Sequence, residues 1–208
     1  MTTDSTITIR QITSGELEDA IPELARLRIQ VFREFPYLYD GTWEYEEKYL
    51  RTYSESGAAI AILALDGARI VGASTGVPMS HETGEFKRPF IEGGYDPARI
   101  FYCGESVLLP EYRGKGIYKE FIRGRENYAR TRDGSPGPFD YCCFCAVERD
   151  ENHPLRPDDF QPLDAVWRHF GYVKRPDLLT EFRWKDIDQP HETAKPMTFW
   201  VKPLLSGC

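Results

Sequence analysis

The chain has 208 residues, of which 41% are hydrophobic, 13% aromatic and 28% charged, so we expect one globular domain over 1–208. Its formal net charge of −7 argues against a general binder of nucleic acid or of anionic membranes. No apolar run approaches the length of a bilayer span, and 1–5 lacks a basic segment followed by an apolar one, so we expect a cytoplasmic protein.

The N-terminal segment predicts a strand and two helices. Residues 6–12 form the first strand, and Ser14 then caps a helix that ends near Phe35-Pro36. Apolar side chains recur along this helix at helical spacing, at Leu17, Ile21, Leu24, Leu27 and Val31. A second helix is predicted around 45–53.

The central part of the chain predicts a hairpin, a loop and a strand–helix–strand unit. Residues 58–65 and 68–77 are two strands joined by Asp66-Gly67, a strong hairpin signal. Residues 80–99 indicate a loop. The unit that follows has a strand over 100–109, a helix from Gly116 to about Arg130, a Gly/Pro-rich connector at 133–138 and a strand at 141–147.

The C-terminal part predicts a long polar loop, one helix and two strands. The helix lies around 162–170 and is capped by Gly171. The strands cover 178–187 and 196–204 and show alternating faces.

The cysteines are predicted to pack in a strand. Cys143 and Cys145 share a face while Cys142 points the other way, and Cys103 and Cys208 lie far from them in sequence. Because no Cys/His spacing of a zinc module exists, we expect no metal site.

The segment 107–118 joins an apolar strand to a helix through a basic, glycine-rich turn. Gly114 and Gly116 allow the backbone to approach a ligand closely, and the N–H groups at the start of a helix can point at one anion. A P-loop is excluded because Lys115 lies between the glycines. A dinucleotide fingerprint is excluded because its third glycine position falls on Lys119. The basic, glycine-rich turn is expected to hold a phosphate group, and the alternative is a glycine turn with incidental basic residues.

This turn resembles the acyl-CoA pyrophosphate loop of the GNAT superfamily of N-acetyltransferases, whose pattern is Arg/Gln-x-x-Gly-x-Gly/Ala. Arg113 and Gly116 match it, whereas Tyr118 stands where a small residue is usual. The run 167–172 resembles the family's F-Y-x-K-x-G-F signature, with Trp167 in the place of the tyrosine. The order of predicted elements resembles the GNAT fold over nearly the whole chain.

The resemblance implies an α/β fold, with a mixed sheet splayed between its fourth and fifth strands, and an N-acetyltransferase. Such an enzyme moves the acetyl group of acetyl-CoA, its co-substrate, directly to a primary amine in a ternary complex. Backbone N–H groups near Val107 and Leu109 are expected to lose their ladder partners and bind the thioester carbonyl and pantetheine. The acceptor is a small-molecule or peptide amine, and family members are frequently homodimers. The candidate cofactor-binding residues are Val107, Leu108, Leu109, Arg113, Gly114, Lys115, Gly116, Ile117 and Tyr118.

Glu105 is the candidate catalytic base. The family's fourth strand, which 101–108 resembles, carries a glutamate base in several members. An apolar strand should desolvate the carboxyl group and raise its pKa toward a useful value. The alternative is a structural glutamate paired with a nearby arginine such as Arg99 or Arg113.

The acid that would protonate the departing CoA thiolate is unassigned. The family often uses a tyrosine at the position of Trp167, and indole cannot serve as that acid. Tyr172, Tyr118 and His153 are candidate substitutes. Solvent is a further alternative, because an ordinary thiol has a pKa of about 8.5.

The loop 33–44 is expected to recognise the acceptor. Tyr37, Tyr39 and Trp43 offer aromatic faces to an ammonium group, and Asp40 offers a counter-charge. The alternative is a loop that packs its aromatic residues on the core. For the whole chain, the alternative function is a non-catalytic GNAT-like module that binds or senses an acyl-CoA.

Overall fold

The computed structural model describes residues 7–133 and 137–204. The first predicted residue of the N-terminal strand, 134–136 of the predicted connector and Cys208 lie outside these ranges. In chain order the elements are β1 (Thr8–Thr13), α1 (Ser14–Phe32), α2 (Trp43–Glu55), β2 (Ile60–Asp66), β3 (Arg69–Pro78), α3 (Gly84–Glu92), β4 (Ile100–Tyr102), β5 (Ser106–Leu108), α4 (Ile117–Thr131), β6 (Tyr141–Val147), α5 (Asp164–His169), β7 (Val173–Lys185) and β8 (Glu192–Pro203).

The strands form one mixed sheet, which confirms the predicted fold class. Its order is β1-β2-β3-β4-β6-β8-β7, with β5 paired beside β4 on the same edge of β3. The pairing of β4 with β6 is parallel, and the other pairings are antiparallel. No helix in the described ranges has the length and apolar character needed to cross a membrane.

The sheet splays open beyond Tyr102. Up to that residue, β4 pairs with Tyr141, Cys142 and Cys143 of β6. The chain then continues into β5, which pairs with β3, while the second half of β6 pairs with β8. The gap between β5 and β6 therefore lies where the resemblance predicted it.

Helices cover both faces of the sheet. The carboxylate of Glu105 meets Arg28 of α1 on one face. On the other face α4 packs so closely that a side chain at Gly124 would contact Ile62 at 2.8 Å. Ile62 pairs with Ser74, which pairs with Ser106. Since side chains alternate along a strand, Ser106 points toward α4 and Glu105 points toward α1 and α2.

Several predicted elements differ from those in the structure. The predicted loop 80–99 contains α3, because Phe86 and Phe90 bury one helical face in spite of Pro89 and the neighbouring glycines. The single strand predicted at 100–109 is two short strands, β4 and β5. The first helix has Thr13, not Ser14, as its N-cap. The strand predicted to begin at 178 begins at Val173 and is irregular between Arg175 and Leu179.

Candidate active site

A cleft with a volume of about 1220 Å³ lies at the gap between β5 and β6. One wall is formed by the end of α1 and the loop after it. The opposite wall is formed by 148–163, and the floor is formed by 103–106, the start of α4 and the inner half of β6. The cleft therefore brings together the segments that were predicted to bind the donor, to supply the base and to recognise the acceptor.

The turn before α4 is open to ligand. Gly114 and Gly116 have φ values of 76° and 80°, in the left-handed region that glycine tolerates. A Cβ atom added to either glycine would have no described atom within 4 Å, and Gly116 is the N-cap of α4. The first N–H groups of that helix have no partners within the helix, and its dipole favours an anion there. Arg113 lines the cleft and forms an ion pair of 2.9 Å with Glu34.

Tyr118 reaches across the cleft to α5. Its hydroxyl group accepts a hydrogen bond of 2.8 Å from Nε1 of Trp167. Burial raises the pKa of Tyr118. The two residues that depart from the family patterns thus contact each other at the cleft, which short sequence patterns cannot show.

The N–H groups of β5 that face the gap are not the ones that were predicted to do so. The N–H of Leu109 donates to Val71 of β3 at 3.0 Å, so the prediction that this group is free is wrong. Because bonding alternates along an antiparallel strand, the N–H of Val107 also faces β3, and those of Ser106 and Leu108 face the gap. The carbonyl group of Leu108 confirms this direction, since it accepts a hydrogen bond of 3.2 Å from Nε of Arg113.

Glu105 is buried at the floor of the cleft. Its Oε2 accepts a hydrogen bond of 2.5 Å from Arg28, which also pairs with the buried Glu46. The arginine partner is therefore neither Arg99 nor Arg113, which pair with Asp140 and Glu34. Burial raises the pKa of Glu105, although Arg28 opposes this effect.

One oxygen of Glu105 is buried with unused hydrogen-bonding capacity. Its Oε1 makes no hydrogen bond of normal geometry, although the Thr75 hydroxyl group lies beside it. Arg28 lies between the two buried carboxyl groups of Glu46 and Glu105, so acidic groups are concentrated at this point. Such a site can attract an ammonium group and accept its proton.

A chain of hydroxyl groups lies beside Glu105. The hydroxyl groups of Tyr49 and Tyr53 are 2.9 Å apart, and Tyr53 donates to Oε1 of Glu82 at 3.1 Å. Burial raises the pKa of Glu82 to about 7. The spacing of Tyr49 and Tyr53 on α2 was the one sequence signal for this chain of hydroxyl groups. Their partner Glu82, on another part of the protein, was not predictable from that spacing.

The predicted acceptor residues occupy different places. Tyr37 lines the cleft and packs between Phe32 and Trp184. Tyr39 lies outside the cleft lining, and burial raises its pKa beside Glu46. Asp40 also lies outside the lining.

The Asp40 carboxylate already has two cationic partners. It is bound by Arg33 at 3.0 Å and by Lys185 at 2.7 Å. These contacts lower the pKa of Asp40. Trp43 is exposed beside this loop. The part of the loop that lines the cleft is therefore 34–37, which precedes Asp40.

The opposite wall of the cleft is attached to this loop by Arg149. Its guanidinium group makes two hydrogen bonds with Asp186, at 2.8 and 2.9 Å. It also donates to the carbonyl oxygens of Pro36 and Tyr37, at 2.6 and 2.7 Å. Arg149 was not predictable as a site residue, because its partners are distant from it in the sequence.

Two of the candidate acids, Tyr172 and His153, lie outside the cleft lining. Tyr172 is buried, and its hydroxyl group has no hydrogen-bond partner. His153 packs against Phe35 at the mouth. Cys103 and Cys145 line the cleft, and all four described cysteines are free and buried. Among the described side chains no cluster of three or more His, Cys, Asp or Glu could hold a metal ion.

The splayed sheet, the glycine turn at the start of α4 and the cleft between them define the fold of the GNAT acyltransferases. Comparisons with solved structures agree with this assignment. Arabidopsis thaliana NAA60 in complex with acetyl-CoA is 16% identical, with a TM-score of 0.58, and the match covers 95% of this chain and 98% of that one. Ribosomal-protein-alanine N-acetyltransferase from Brucella melitensis is 13% identical, with a TM-score of 0.58 and coverage of 94% and 99%.

A third similar structure is an N-acetyltransferase from Staphylococcus aureus Mu50, at 11% identity, a TM-score of 0.58 and coverage of 97% and 100%. No family model and no curated protein sequence matches the chain. At these identities the likeness establishes the fold. The chain therefore has the fold of solved acetyltransferases, two of which are described as members of the GNAT family, and activity has to be argued from the residues of the cleft.

Proposed function

We propose that this protein is an N-acetyltransferase that moves the acetyl group of acetyl-CoA directly to a primary amine. One observation carries the proposal: the buried carboxylate of Glu105 and the open turn 113–118 lie in the same cleft at the splay of the sheet. A carboxylate can serve as the base, and the turn can hold the pyrophosphate, so donor and acceptor would meet at the gap.

The donor would be held mainly by backbone groups. The N-terminus of α4 and the cation of Arg113 suit a pyrophosphate. The N–H groups of Ser106 and Leu108 face the gap and suit the pantetheine and the thioester oxygen, whose negative charge grows as the amine attacks. Acetyl-CoA is bound in the similar NAA60 structure, which supports the same donor here.

Glu105 would accept a proton from the amine. An amine with a pKa of about 10.4 needs roughly 4 to 5 kcal/mol to reach its neutral form at neutral pH. Oε1 of Glu105 can take that proton, while Arg28 holds Oε2 and fixes the direction of the carboxylate. The raised pKa brings this group closer to the pH at which a base is effective.

The acceptor would enter between 34–37 and 148–163 and present its amine to the face of the sheet that carries Glu105. Phe32, Phe35 and Tyr37 supply apolar and aromatic surface on this side. NAA60 has also been solved with a bisubstrate analogue. These observations support a peptide or small-molecule amine as the acceptor.

A non-catalytic acyl-CoA-binding module is the second candidate function. The observation in its favour is the ion pair of Glu105 with Arg28, which gives this glutamate a structural partner. In that case Glu105 would stabilise the packing of α1 on the sheet, and no acyl transfer would follow donor binding.

Calorimetric titration with acetyl-CoA, with NADH and ATP as controls, is the first test. Binding that weakens at least about tenfold in Arg113→Glu, with no change in Arg123→Glu, would support donor binding at the turn. Arg123 is the matched control because it is exposed on α4. Equal binding of acetyl-CoA by both variants, or none by the wild type, would contradict the proposed donor site.

A screen of amines by mass spectrometry then separates the enzyme from the binding module. Glu105→Gln should lower kcat by about 10²- to 10⁴-fold and leave the Kd of acetyl-CoA unchanged. Glu44→Gln, an exposed glutamate at the start of α2, is the control. Full activity of Glu105→Gln would remove the catalytic role, and binding without any acetylated product would favour the module.

A further inference from the structure

Arg125 of α4 is a buried cation that pairs with no carboxylate among the described residues. Its side chain donates from Nη1 to the backbone carbonyl groups of Glu105, at 3.1 Å, and Thr75, at 3.5 Å. Its Nε makes no hydrogen bond. The next residue, Glu126, pairs instead with Lys202 at 2.7 Å and with Arg130 at 3.2 Å.

The other buried arginines of the described chain are paired with carboxylates. Arg28 contacts Glu46 and Glu105, and Arg149 contacts Asp186. A buried ion without a counter-ion carries a desolvation penalty of roughly several kcal/mol, even after the surrounding protein has relaxed. Among the described residues the hydrogen bonds of Arg125 go to two carbonyl groups and to no carboxylate, so its guanidinium group can pair with an anion that enters the cleft.

The anion must come from the donor side of the gap. Arg125 lines the cleft from α4, together with Cys103 and Tyr118, whereas the carboxylate of Glu105 lies on the face covered by α1 and α2. An acceptor amine that reaches Glu105 is thus separated from Arg125 by the strand itself. Two atoms of the donor acquire negative charge within the gap: the thioester oxygen, which suits the N–H groups of Ser106 and Leu108, and the sulfur, which is left for Arg125.

We propose that Arg125 stabilises the CoA thiolate as it leaves, which rests on the proposed function. Once the ammonium proton has passed through Glu105 to solvent, the neutral amine nitrogen forms a bond to the thioester carbon, its second proton passes to Glu105, and the carbon–sulfur bond breaks. The electron pair stays on sulfur, which pairs with the guanidinium group and later takes a proton from solvent. The departing group then requires no protein acid.

The surrounding groups fit this role. Burial raises the pKa of Tyr118 and of Tyr172, so both phenols are weaker acids than usual. The pKa of Cys103 is lowered, first by a hydrogen bond with Cys142 and then by the charge of Arg125. The charge of Arg125 thus acts on a neighbouring sulfur in the direction that the proposal requires.

Proton release on CoA binding tests the proposal. A free thiol is only about 10% ionised at pH 7.5, so binding as thiolate should release up to about 0.9 proton per CoA. Titration calorimetry of the wild type, in two buffers that differ in ionisation enthalpy, measures this number. Desulfo-CoA, which lacks the thiol, gives the background to be subtracted.

The result separates this inference from the proposed function. If CoA and desulfo-CoA both bind and release the same number of protons, the donor site stands and the role of Arg125 is overturned. If neither binds, both proposals fail. Because this comparison uses the wild type, it does not depend on the folding of any variant.

Variants identify the group responsible. Arg125→Met should abolish the difference in proton release, and Arg125→Lys should retain part of it. Arg123→Met, on the exposed side of the same helix, should behave as the wild type. Tyr118→Phe should also retain the release. Loss of the release in Tyr118→Phe, with retention in Arg125→Met, would assign the role to the phenol instead.

Discussion

The wild type should lose stability as pH rises because the buried Glu82 ionises. Glu82→Gln should remove most of this loss. Burial raises the pKa of Glu82 from its ordinary 4.5 to about 7. Between these values the folded state keeps a proton that the unfolded state has released. The stabilisation is complete below about pH 4.5 and is lost as pH rises through about 7. Glutamine stays neutral and can still accept the hydrogen bond from Tyr53.

The size of the effect follows from the same pKa. At about 1.36 kcal/mol per pH unit, ionisation of Glu82 costs the folded state about 3 kcal/mol. The free energy of unfolding of Glu82→Gln, minus that of the wild type, should thus rise by about 3 kcal/mol from pH 4 to pH 8. The prediction concerns the change with pH of the difference between the two proteins. Any effect of the substitution that does not depend on pH therefore cancels.

Urea denaturation at intervals across this pH range is the assay. Glu92→Gln, which replaces an exposed carboxylate on α3, is the control and should parallel the wild type. The reasoning that burial keeps this carboxyl group protonated predicts that the free energy of unfolding of Glu82→Gln, minus that of the wild type, rises with pH. A constant or falling difference would refute it.

Three further predictions concern packing and charge. Gly104→Ala should lower the free energy of unfolding by about 1 to 3 kcal/mol in urea, because the new methyl group would meet the Tyr53 hydroxyl group and Thr75 Oγ1, the latter at 2.7 Å. Adding Tyr53→Phe should recover part of this loss. Arg149→Met should cost about 3 kcal/mol by the same assay, since it leaves buried Asp186 with Lys195 at 3.4 Å as its remaining cation. Because Asp40 lies outside the cleft lining and is held by Arg33 and Lys185, Asp40→Asn should leave the acceptor KM within about twofold of the wild-type value in steady-state kinetics, and a rise of about fivefold would instead assign Asp40 to acceptor binding.

Local sequence signals predicted the elements that depend on local geometry. The hairpin at Asp66-Gly67 is present, with Gly67 at a φ of 60°. The strand β6 has the predicted bounds, 141–147. The turn at Gly114 and Gly116 has the positive φ values that only glycine adopts readily.

Contacts between distant residues were not predictable in the same way. The break between β4 and β5 involves Gly104, which packs against Tyr53 of α2. The ion pair of Glu105 with Arg28 joins residues 77 positions apart. The sequence showed Arg125 as one more polar residue on an amphipathic helix, and only the packing of α4 on the sheet makes it a buried cation.

The short ladder between β4 and β6 has a mechanical consequence. It joins two stiff half-sheets, one built from β1, β2, β3 and β5 and the other from β6, β8 and β7, through three residue pairs. Within the sheet, a ligand that enters the gap would therefore strain these three pairs first. Contacts outside the sheet oppose further opening, because Arg149 bonds to the carbonyl groups of Pro36 and Tyr37 and Lys202 pairs with Glu126 of α4.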